Sequence, residues 1–236
     1  MAQTQVQTDN APVLEINGLT QRFGGLTAVD NFNVKLMPGK LTGLIGPNGA
    51  GKTTVFNLAS GFYQPTEGEI LVGGKPTAGL KPHKVTALGI ARTFQNIRLW
   101  NDMTVLDNIR VAQHYWLGYG FFHSVIRTKR YKQREEEIEQ EAQKLLEVFD
   151  LQRFKDEFPK NLPYGTQRKL EIARALAGEP KLLLLDEPVA GMNPMESMEV
   201  MQQIRDLKEA GHTILMIEHD MKVIMGASDR VIAMDH

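Results

Sequence analysis

Short apolar runs recur along the chain and predict the strands of an α/β fold. They are rich in β-branched and aliphatic residues, and stretches with helical patterns separate them. Two of them, KLLLLD and TILMIE, are apolar at nearly every position, as central strands covered on both faces require. The predicted strands lie in VLEING, FNVKLM, LTGLIG, EILVGG, KLLLLDE, HTILMIEH and RVIAMD.

The strand pattern stops between about residues 96 and 161. In this part, the stretch REEEIEQEAQKLLEVFDL places apolar residues on one face at helical spacing, with acidic residues opposite. This pattern predicts a helical subdomain, over about residues 96–177, inserted into the sheet domain. The apolar face consists of Ile138, Ala142, Leu145, Leu146 and Phe149.

Composition narrows the class of protein. The 236 residues are 42% hydrophobic and 23% charged, which is typical of a globular protein with a sizeable core. A net charge of -1 gives no electrostatic reason to expect binding to nucleic acid. The absence of cysteine excludes disulfides and thiolate metal sites, and it fits a reducing compartment, so we expect the cytoplasm.

The two ends and the longest apolar stretch bear on membrane location. Residues 1–12 are polar, lack the apolar run of a secretory signal and are expected to form a flexible tail before a domain over residues 13–236. The stretch YWLGYGFFHSVI is interrupted by glycines and a histidine, and it is shorter than the roughly 20 residues that cross a bilayer. The final residues, RVIAMDH, end inside a predicted strand.

A glycine-rich loop, GPNGAGKT, follows the predicted strand LTGLI and precedes the helical pattern TTVFNLAS. This strand, loop and helix form the context of a phosphate-binding loop, in which backbone N–H groups and the helix N-terminus face phosphate oxygens. Lys52 is then expected to neutralise the β- and γ-phosphates, and Thr53 to bind Mg²⁺. A glycine turn before a buried helix is the alternative. The expected phosphate-binding residues are Gly46, Pro47, Asn48, Gly49, Ala50, Gly51, Lys52, Thr53 and Thr54.

An acidic pair ends the predicted strand LLLLDEP, at the edge where open α/β sheets bind ligands. Asp186 is placed to hold Mg²⁺, directly or through water. Glu187 is placed to orient and polarise the attacking water as general base. Helix capping or a solvated turn is the alternative role for such a pair.

Six ordered motifs together resemble the ATP-binding cassette (ABC) ATPases over nearly the whole chain. They are the phosphate loop, Gln95 after ARTF, LPYGTQRKLEIARAL, LLLLDEP, GMNP and IEHD. The resemblance implies a P-loop NTPase fold with a parallel core sheet, an antiparallel N-terminal β-subdomain and an inserted helical subdomain. It also implies that Gln95 contacts Mg²⁺ and water and that His219 contacts the γ-phosphate. Taken alone, a glutamine is usually a surface residue and a histidine is more often structural than functional.

Phe23 lies where this family has an aromatic residue that stacks on adenine. Stacking needs only a π face, which phenylalanine supplies. The alternative is a strand-end residue packed in the core.

The signature loop of the family is usually Leu-Ser-Gly-Gly-Gln, and three of its positions differ here. Pro163, Tyr164 and Thr166 replace the serine, the first glycine and the glutamine, whereas Gly165 keeps the second glycine. In the family this loop contacts the nucleotide of a second subunit. A lost serine hydroxyl removes a hydrogen bond to a charged group worth about 1.5 to 3 kcal/mol, but the Gly165 N–H and the helix dipole remain.

Two interpretations of the altered signature stay open. The chain is catalytically competent, which the presence of Lys52, Asp186, Glu187 and His219 favours, or it forms a hydrolysis-poor half-site in a heterodimer. The signature with its tyrosine resembles that of the subfamily that energises importers of branched-chain amino acids. In the motif GMNP, Asn193 replaces the aspartate of the family's D-loop, and that subfamily tolerates this change.

The resemblance implies the partners and the location. We expect ATP and Mg²⁺ as ligands, a second ABC ATPase subunit, transmembrane permease subunits on other chains and, indirectly, an extracytoplasmic substrate-binding protein. The chain would then lie on the cytoplasmic face of the inner membrane. The alternative is an ATPase subunit of a lipid or lipopolysaccharide exporter, a class with a more usual serine-glycine-glycine signature.

Two segments are candidates for contact with the membrane machinery. The basic stretch RTKRYKQR, residues 127–134, either faces lipid head groups or a permease loop, or forms the solvated face of a helix. The segment from Gln95 to Met103 is the better docking candidate by family resemblance.

Overall fold

A computed structural model describes residues 11–114 and 129–235. The expected tail, except for residues 11 and 12, the stretch YWLGYGFFHSVI, the first residues of the basic stretch and the last residue lie outside this part. Among the described residues, no helix is long and apolar enough to cross a membrane.

An antiparallel sheet is built from the first half of the chain. Its strands are β1 (Leu14–Phe23), β2 (Leu26–Leu36), β4 (Glu67–Val72) and β5 (Lys75–Pro76), in the order β2-β1-β4-β5. Phe23 pairs with Leu26 across the two-residue turn Gly24-Gly25, which closes a β1–β2 hairpin. The predicted antiparallel subdomain is therefore confirmed.

A parallel sheet carries the centre of the molecule. Its strands are β3 (Leu41–Ile45), β6 (Ile90–Arg92), β7 (Leu182–Asp186), β8 (Ile214–Ile217) and β9 (Arg230–Ala233), in the order β6-β7-β8-β3-β9. Every residue of β7 and β8 is buried, as their continuous apolar pattern predicts. Strands β5 and β6 were not predicted, because two and three residues are too short to show a pattern.

Helices pack on the parallel sheet, and three of the described helices lie in the chain between β6 and β7. The described helices are α1 (Lys52–Ala59), α2 (Pro82–Thr86), α3 (Val105–His114), α4 (Lys129–Val148), α5 (Tyr164–Leu176), α6 (Pro194–Glu209) and α7 (Met221–Ala227), with 3₁₀ turns at Gln152–Phe154 and Pro159–Asn161. Helices α3, α4 and α5 lie between β6 and β7, and the limits 96–177 of the helical subdomain stay a prediction. The apolar face of α4 is confirmed, since Ile138, Ala142, Leu146 and Phe149 are buried and Leu145 packs against them.

Alternate residues of the central strands face two separate cores. Leu182 and Leu184 pack with apolar residues of the antiparallel sheet and of α1. Leu183 and Leu185 pack with apolar residues of α5 and α6. This alternation places the parallel sheet between two apolar layers.

Helix α6 begins with a complete capping box. The Asn193 side chain accepts a hydrogen bond from the Glu196 backbone N–H at 3.0 Å, and Glu196 Oε2 accepts one from the Asn193 N–H at 3.2 Å. Pro194 occupies the first turn, where its missing N–H costs nothing. Asn193 therefore stabilises the helix start, whatever else it does.

We expect Asn193→Ala to lower the free energy of unfolding by about 1 kcal/mol. One backbone N–H group loses its side-chain acceptor, and the other keeps an acceptor that the capping box no longer orients. Urea unfolding of the purified chain measures this. The control is Asn193→Asp, which keeps a cap oxygen and should leave the stability nearly unchanged. Equal stability of the alanine and aspartate variants would contradict the capping role.

Candidate functional site

Four neighbouring parallel strands deliver the predicted site residues to one edge of the sheet. The strand order β6-β7-β8-β3 places Gln95, the acidic pair, His219 and the glycine-rich loop after successive strands. The carboxyl edge of an open α/β sheet is where ligands bind. The structure thus gathers residues that are up to 173 positions apart, from Gly46 to His219.

The glycine-rich loop wraps tightly between β3 and α1. A Cβ at Gly51, whose φ is +88°, would lie 2.3 Å from the carbonyl oxygen of Ala28, and one at Gly46 would lie 2.4 Å from that of Met234. Only glycine fits at these two positions. Pro47, Asn48 and Gly49 are exposed, whereas Ala50 is buried.

Lys52 is the first residue of α1, and its side chain is turned back into the loop. Its ammonium donates to the carbonyl oxygens of Gly46 at 2.7 Å and Pro47 at 2.8 Å. Burial lowers the pKa of Lys52, and the nearby carboxylates of Glu187 and Asp186 oppose this shift. A buried cation at a helix N-terminus, beneath exposed loop positions, fits a polyphosphate group.

The acidic pair divides into a buried and an accessible carboxylate. Asp186 is 3% exposed, and Arg92 binds its Oδ2 at 2.9 Å. Burial raises the pKa of Asp186, although the hydrogen bond and charge of Arg92 act in the opposite direction. Helix capping and a solvated turn are therefore excluded as the role of Asp186.

Glu187 lies at the centre of a hydrogen-bonded row. Its Oε2 accepts from Gln95 Nε2 at 3.1 Å, and its Oε1 lies 2.8 Å from His219 Nε2. Because a carboxylate only accepts, Nε2 carries the hydrogen when Glu187 is ionised. Glu187 has a φ of +50°, in the left-handed region that non-glycine residues seldom adopt. The row therefore brings together the three residues predicted as catalytic.

Arg92 was not predicted and is the main addition to the site. Its guanidinium also donates to Asn57 Oδ1 at 2.7 Å and Ser60 Oγ at 3.1 Å, both on the α1 side. The rings of Phe56, Phe62 and Phe94 lie within 5.9 Å of it. The signal in the sequence was only that Arg92 lies in the stretch ARTF, three residues before Gln95.

The donor set fits magnesium held jointly with phosphate. In the part of the chain that the structure describes, no group of three or more acidic or histidine residues forms a self-sufficient metal site. Mg²⁺ needs only one or two carboxylates when substrate phosphates and water complete its shell. The exposed Thr53 at the start of α1 and Asp186 supply such donors.

Phe23 is 42% exposed at the end of β1 and makes an edge-to-face contact with Tyr63, with ring centroids 5.4 Å apart. This exposure excludes the alternative of a core residue. Tyr63 was not singled out in the sequence. Adenine stacking by Phe23 stays a prediction.

The altered signature forms the first turn of α5. Pro163 precedes this turn without a side-chain capping bond, and Tyr164 is 44% exposed. Gly165 is buried, and a Cβ there would lie 3.3 Å from the Glu196 side chain on α6. Thr166 is half-buried in the same turn. A larger residue at position 165 would therefore press on the Glu196 side chain, and the anion contact predicted for Gly165 stays a prediction.

We expect Arg92→Met to lower the free energy of unfolding by about 3 kcal/mol at neutral pH, because it leaves Asp186 buried without its partner. Arg98→Met is the control, since the Arg98 side chain is exposed and stacks on Phe94 while its backbone N–H keeps its bond to Glu171, and it should cost less than about 1 kcal/mol. Urea unfolding at several pH values measures both.

The pH dependence of this loss follows from Asp186. Removing Arg92 leaves burial to raise the Asp186 pKa further, and a group with a raised folded-state pKa loses stability as pH rises. The cost of Arg92→Met should therefore be smaller at pH 5 than at pH 8, and Asp186→Asn in the same background should recover stability. A loss that does not vary with pH would contradict the pairing.

Comparison with known proteins gives the family. The sequence pattern of the ABC transporter family matches residues 29–190. The chain is 47% identical over 221 residues, 93% of its length and 87% of the relative's, to the high-affinity branched-chain amino acid transport ATP-binding protein LivG of Escherichia coli K12.

Two solved structures have the same fold. One is the ADP conformation of an ATP-binding cassette of an ABC transporter, with a TM-score of 0.80 and 31% identity, covering 94% of this chain and 87% of that one. The other is a dimeric post-hydrolysis state of an ATP-binding cassette bound to ADP and Pi, with a TM-score of 0.78, 26% identity and 94% of both chains covered. From its sequence and its fold, this chain belongs to the ABC transporter ATPase family.

Proposed function

We propose that the chain is the ATP-binding and ATP-hydrolysing subunit of a membrane importer for branched-chain amino acids. The observation that carries the proposal is the row of Gln95, Glu187 and His219 beside the glycine-rich loop. A nucleotide-binding protein without turnover has no need of a carboxylate held by two neighbours at this edge. Turnover is therefore the function that this geometry supports best.

Each phosphate-binding residue has a distinct task in this proposal. The backbone N–H groups in the loop from Gly46 to Thr54, other than at Pro47, and the ammonium of Lys52 bind and neutralise the phosphates. Thr53 and Asp186 would hold Mg²⁺, with Gln95 as a further donor; when bound, Mg²⁺ withdraws negative charge from the β- and γ-phosphates. Phe23 stacks on the adenine.

Glu187 serves as the general base. Gln95 holds one of its carboxylate oxygens and His219 lies against the other, so the carboxylate is oriented before substrate arrives. Glu187 takes a proton from a water molecule, the water oxygen bonds to the γ-phosphorus, and the bond to the β–γ bridging oxygen breaks. ADP leaves with that oxygen, and His219 contacts the γ-phosphate.

The first turn of α5 serves a second ATPase subunit. Pro163, Tyr164, Gly165 and Thr166 face the nucleotide of the partner, which is another copy of this chain or a similar one. The dimeric cassette bound to ADP and Pi supports the pairing of two ATPase subunits. ATP closes the dimer, and hydrolysis opens it again.

The membrane partners are permease subunits on other chains, with an extracytoplasmic substrate-binding protein acting indirectly. The exposed Trp100 and Met103, which follow Gln95, form the docking surface for the permease. The name of LivG supports branched-chain amino acids as cargo. The chain would act at the cytoplasmic face of the inner membrane, and nucleic acid is not among the proposed partners.

We expect the purified chain to hydrolyse ATP with Mg²⁺, and Glu187→Gln to lower kcat by about 100-fold or more because the general base is lost. Phosphate release measures kcat. Glu136→Gln is the control, since Glu136 is an exposed residue of α4, and it should keep full activity. Unchanged turnover of Glu187→Gln would rule out the proposed base.

The signature is tested in the same assay with the triple variant Pro163→Ser, Tyr164→Gly and Thr166→Gln. Turnover by the unmodified chain means that the altered signature is functional. If only the triple variant turns over, the chain is a hydrolysis-poor half-site, and a heterodimer with a competent partner replaces the homodimer.

Cargo is tested by replacing LivG in Escherichia coli K12 with this chain and measuring uptake of radiolabelled leucine. We expect uptake above that of the strain without LivG, and loss of that uptake with Glu187→Gln. Strong uptake with both forms would show that transport does not depend on hydrolysis by this chain.

A further inference from the structure

A fully buried ion pair lies one turn inside α5. Arg168 and Glu171 are 0% and 1% exposed, and their side chains approach to 2.7 Å. Burying two charges costs free energy that an apolar pair of similar size would not, so the pair is poor evidence for stability alone. Its other contacts indicate what it does.

The pair binds the backbone of the segment that carries Gln95. Arg168 Nη1 donates to the carbonyl oxygen of Phe94 at 2.6 Å, and Nη2 donates to that of Gln95 at 2.8 Å. Glu171 Oε1 accepts from the N–H groups of Phe94 at 3.4 Å and Arg98 at 3.2 Å. Since residues 94–98 follow β6 without regular structure, these contacts provide the partners that a helix or a sheet would otherwise supply.

The same guanidinium reaches the altered signature. Arg168 Nη2 lies 3.3 Å from the hydroxyl oxygen of Tyr164, one turn earlier on α5. The tyrosine ring centroid is 6.0 Å from the guanidinium carbon. One side chain therefore contacts both the backbone of Gln95 and the tyrosine that departs from the usual signature.

We propose that Arg168 and Glu171 are positioning residues that fix Gln95 to the start of α5. They hold Gln95 where its side chain meets Glu187, and they make the signature turn and Gln95 move as one body. This inference rests on the proposed function, because it assigns Gln95 to the chain's own nucleotide and the signature turn to the partner's. The two nucleotide sites of a dimer are then linked through one buried guanidinium.

A double-mutant cycle tests whether Arg168 acts through Gln95. Arg168→Lys keeps the charge but loses the two-pronged donor, and we expect it to lower kcat at least about tenfold by displacing Gln95, while the KM for ATP changes less than about threefold. In a Gln95→Ala background the same change should alter kcat less than about twofold. Lys169→Gln, which alters the next residue of α5, is the control and should leave kcat unchanged.

Different results separate the possible failures. If the unmodified chain hydrolyses ATP and Arg168→Lys lowers kcat by the same factor with and without Gln95, the residue is merely structural and the inference is overturned. A wild-type kcat in the Arg168→Lys variant or in the Gln95→Ala variant would overturn the inference as well. If the unmodified chain does not hydrolyse ATP, it is the proposed function that fails.

A measurement on the unmodified protein covers the case in which Arg168→Lys does not fold. Amide hydrogen exchange should protect the Arg98 N–H as strongly as the amides in the middle of α5, because Glu171 holds it to that helix. Exchange of Arg98 at the rate of an open loop would overturn the inference without any substitution.

Discussion

The parallel pairing of β6, β7, β8 and β3 is the constraint on which the site depends. It aligns Arg92 with Leu184 and Leu44 with Ile217, so the residues after each strand emerge at the same height. A slip of one residue in any strand would exchange its two faces between the two cores. The positions of Gln95, Glu187 and His219 are thus set by apolar side chains far from the nucleotide.

Several charged side chains are buried around this edge of the sheet, and each has a neighbouring group that balances its charge. Asp186 is paired with Arg92, Glu171 with Arg168, and Lys52 with carbonyl groups of its own loop. Burial raises the pKa of Glu218. Its carboxylate accepts hydrogen bonds from the backbone N–H groups of Val189 and His219 and so holds the turn that follows Glu187. Arg92, Arg168, Glu171 and Glu218 hold their neighbours in place, and the energetic cost of burying these charges is spread over several hydrogen bonds.

Features that depend on a local sequence pattern could be predicted, whereas features that depend on contacts between distant residues could not. The runs LLLLD and ILMI predicted the buried strands, and the loop from Gly46 to Thr53 predicted a phosphate site, because those signals lie in consecutive residues. Arg92 gave no such signal, since its partner Asp186 lies 94 positions away. The spacing of Arg168 and Glu171 is local, but the contacts of Arg168 with the carbonyl groups of Phe94 and Gln95 span 74 and 73 positions and gave no signal. The short strand β6, which places both Arg92 and Gln95, was missed for lack of length.

The backbone at Glu187 links activity to stability. A glutamate with a φ of +50° carries a conformational cost of about 1 kcal/mol that glycine would not. Its N–H is nevertheless bonded to the carbonyl oxygen of Ile217 at 3.0 Å, so β8 keeps it in this conformation. Glycine at this position would relieve the conformational cost but would remove the proposed base, so stability and the proposed turnover place opposite demands on one residue.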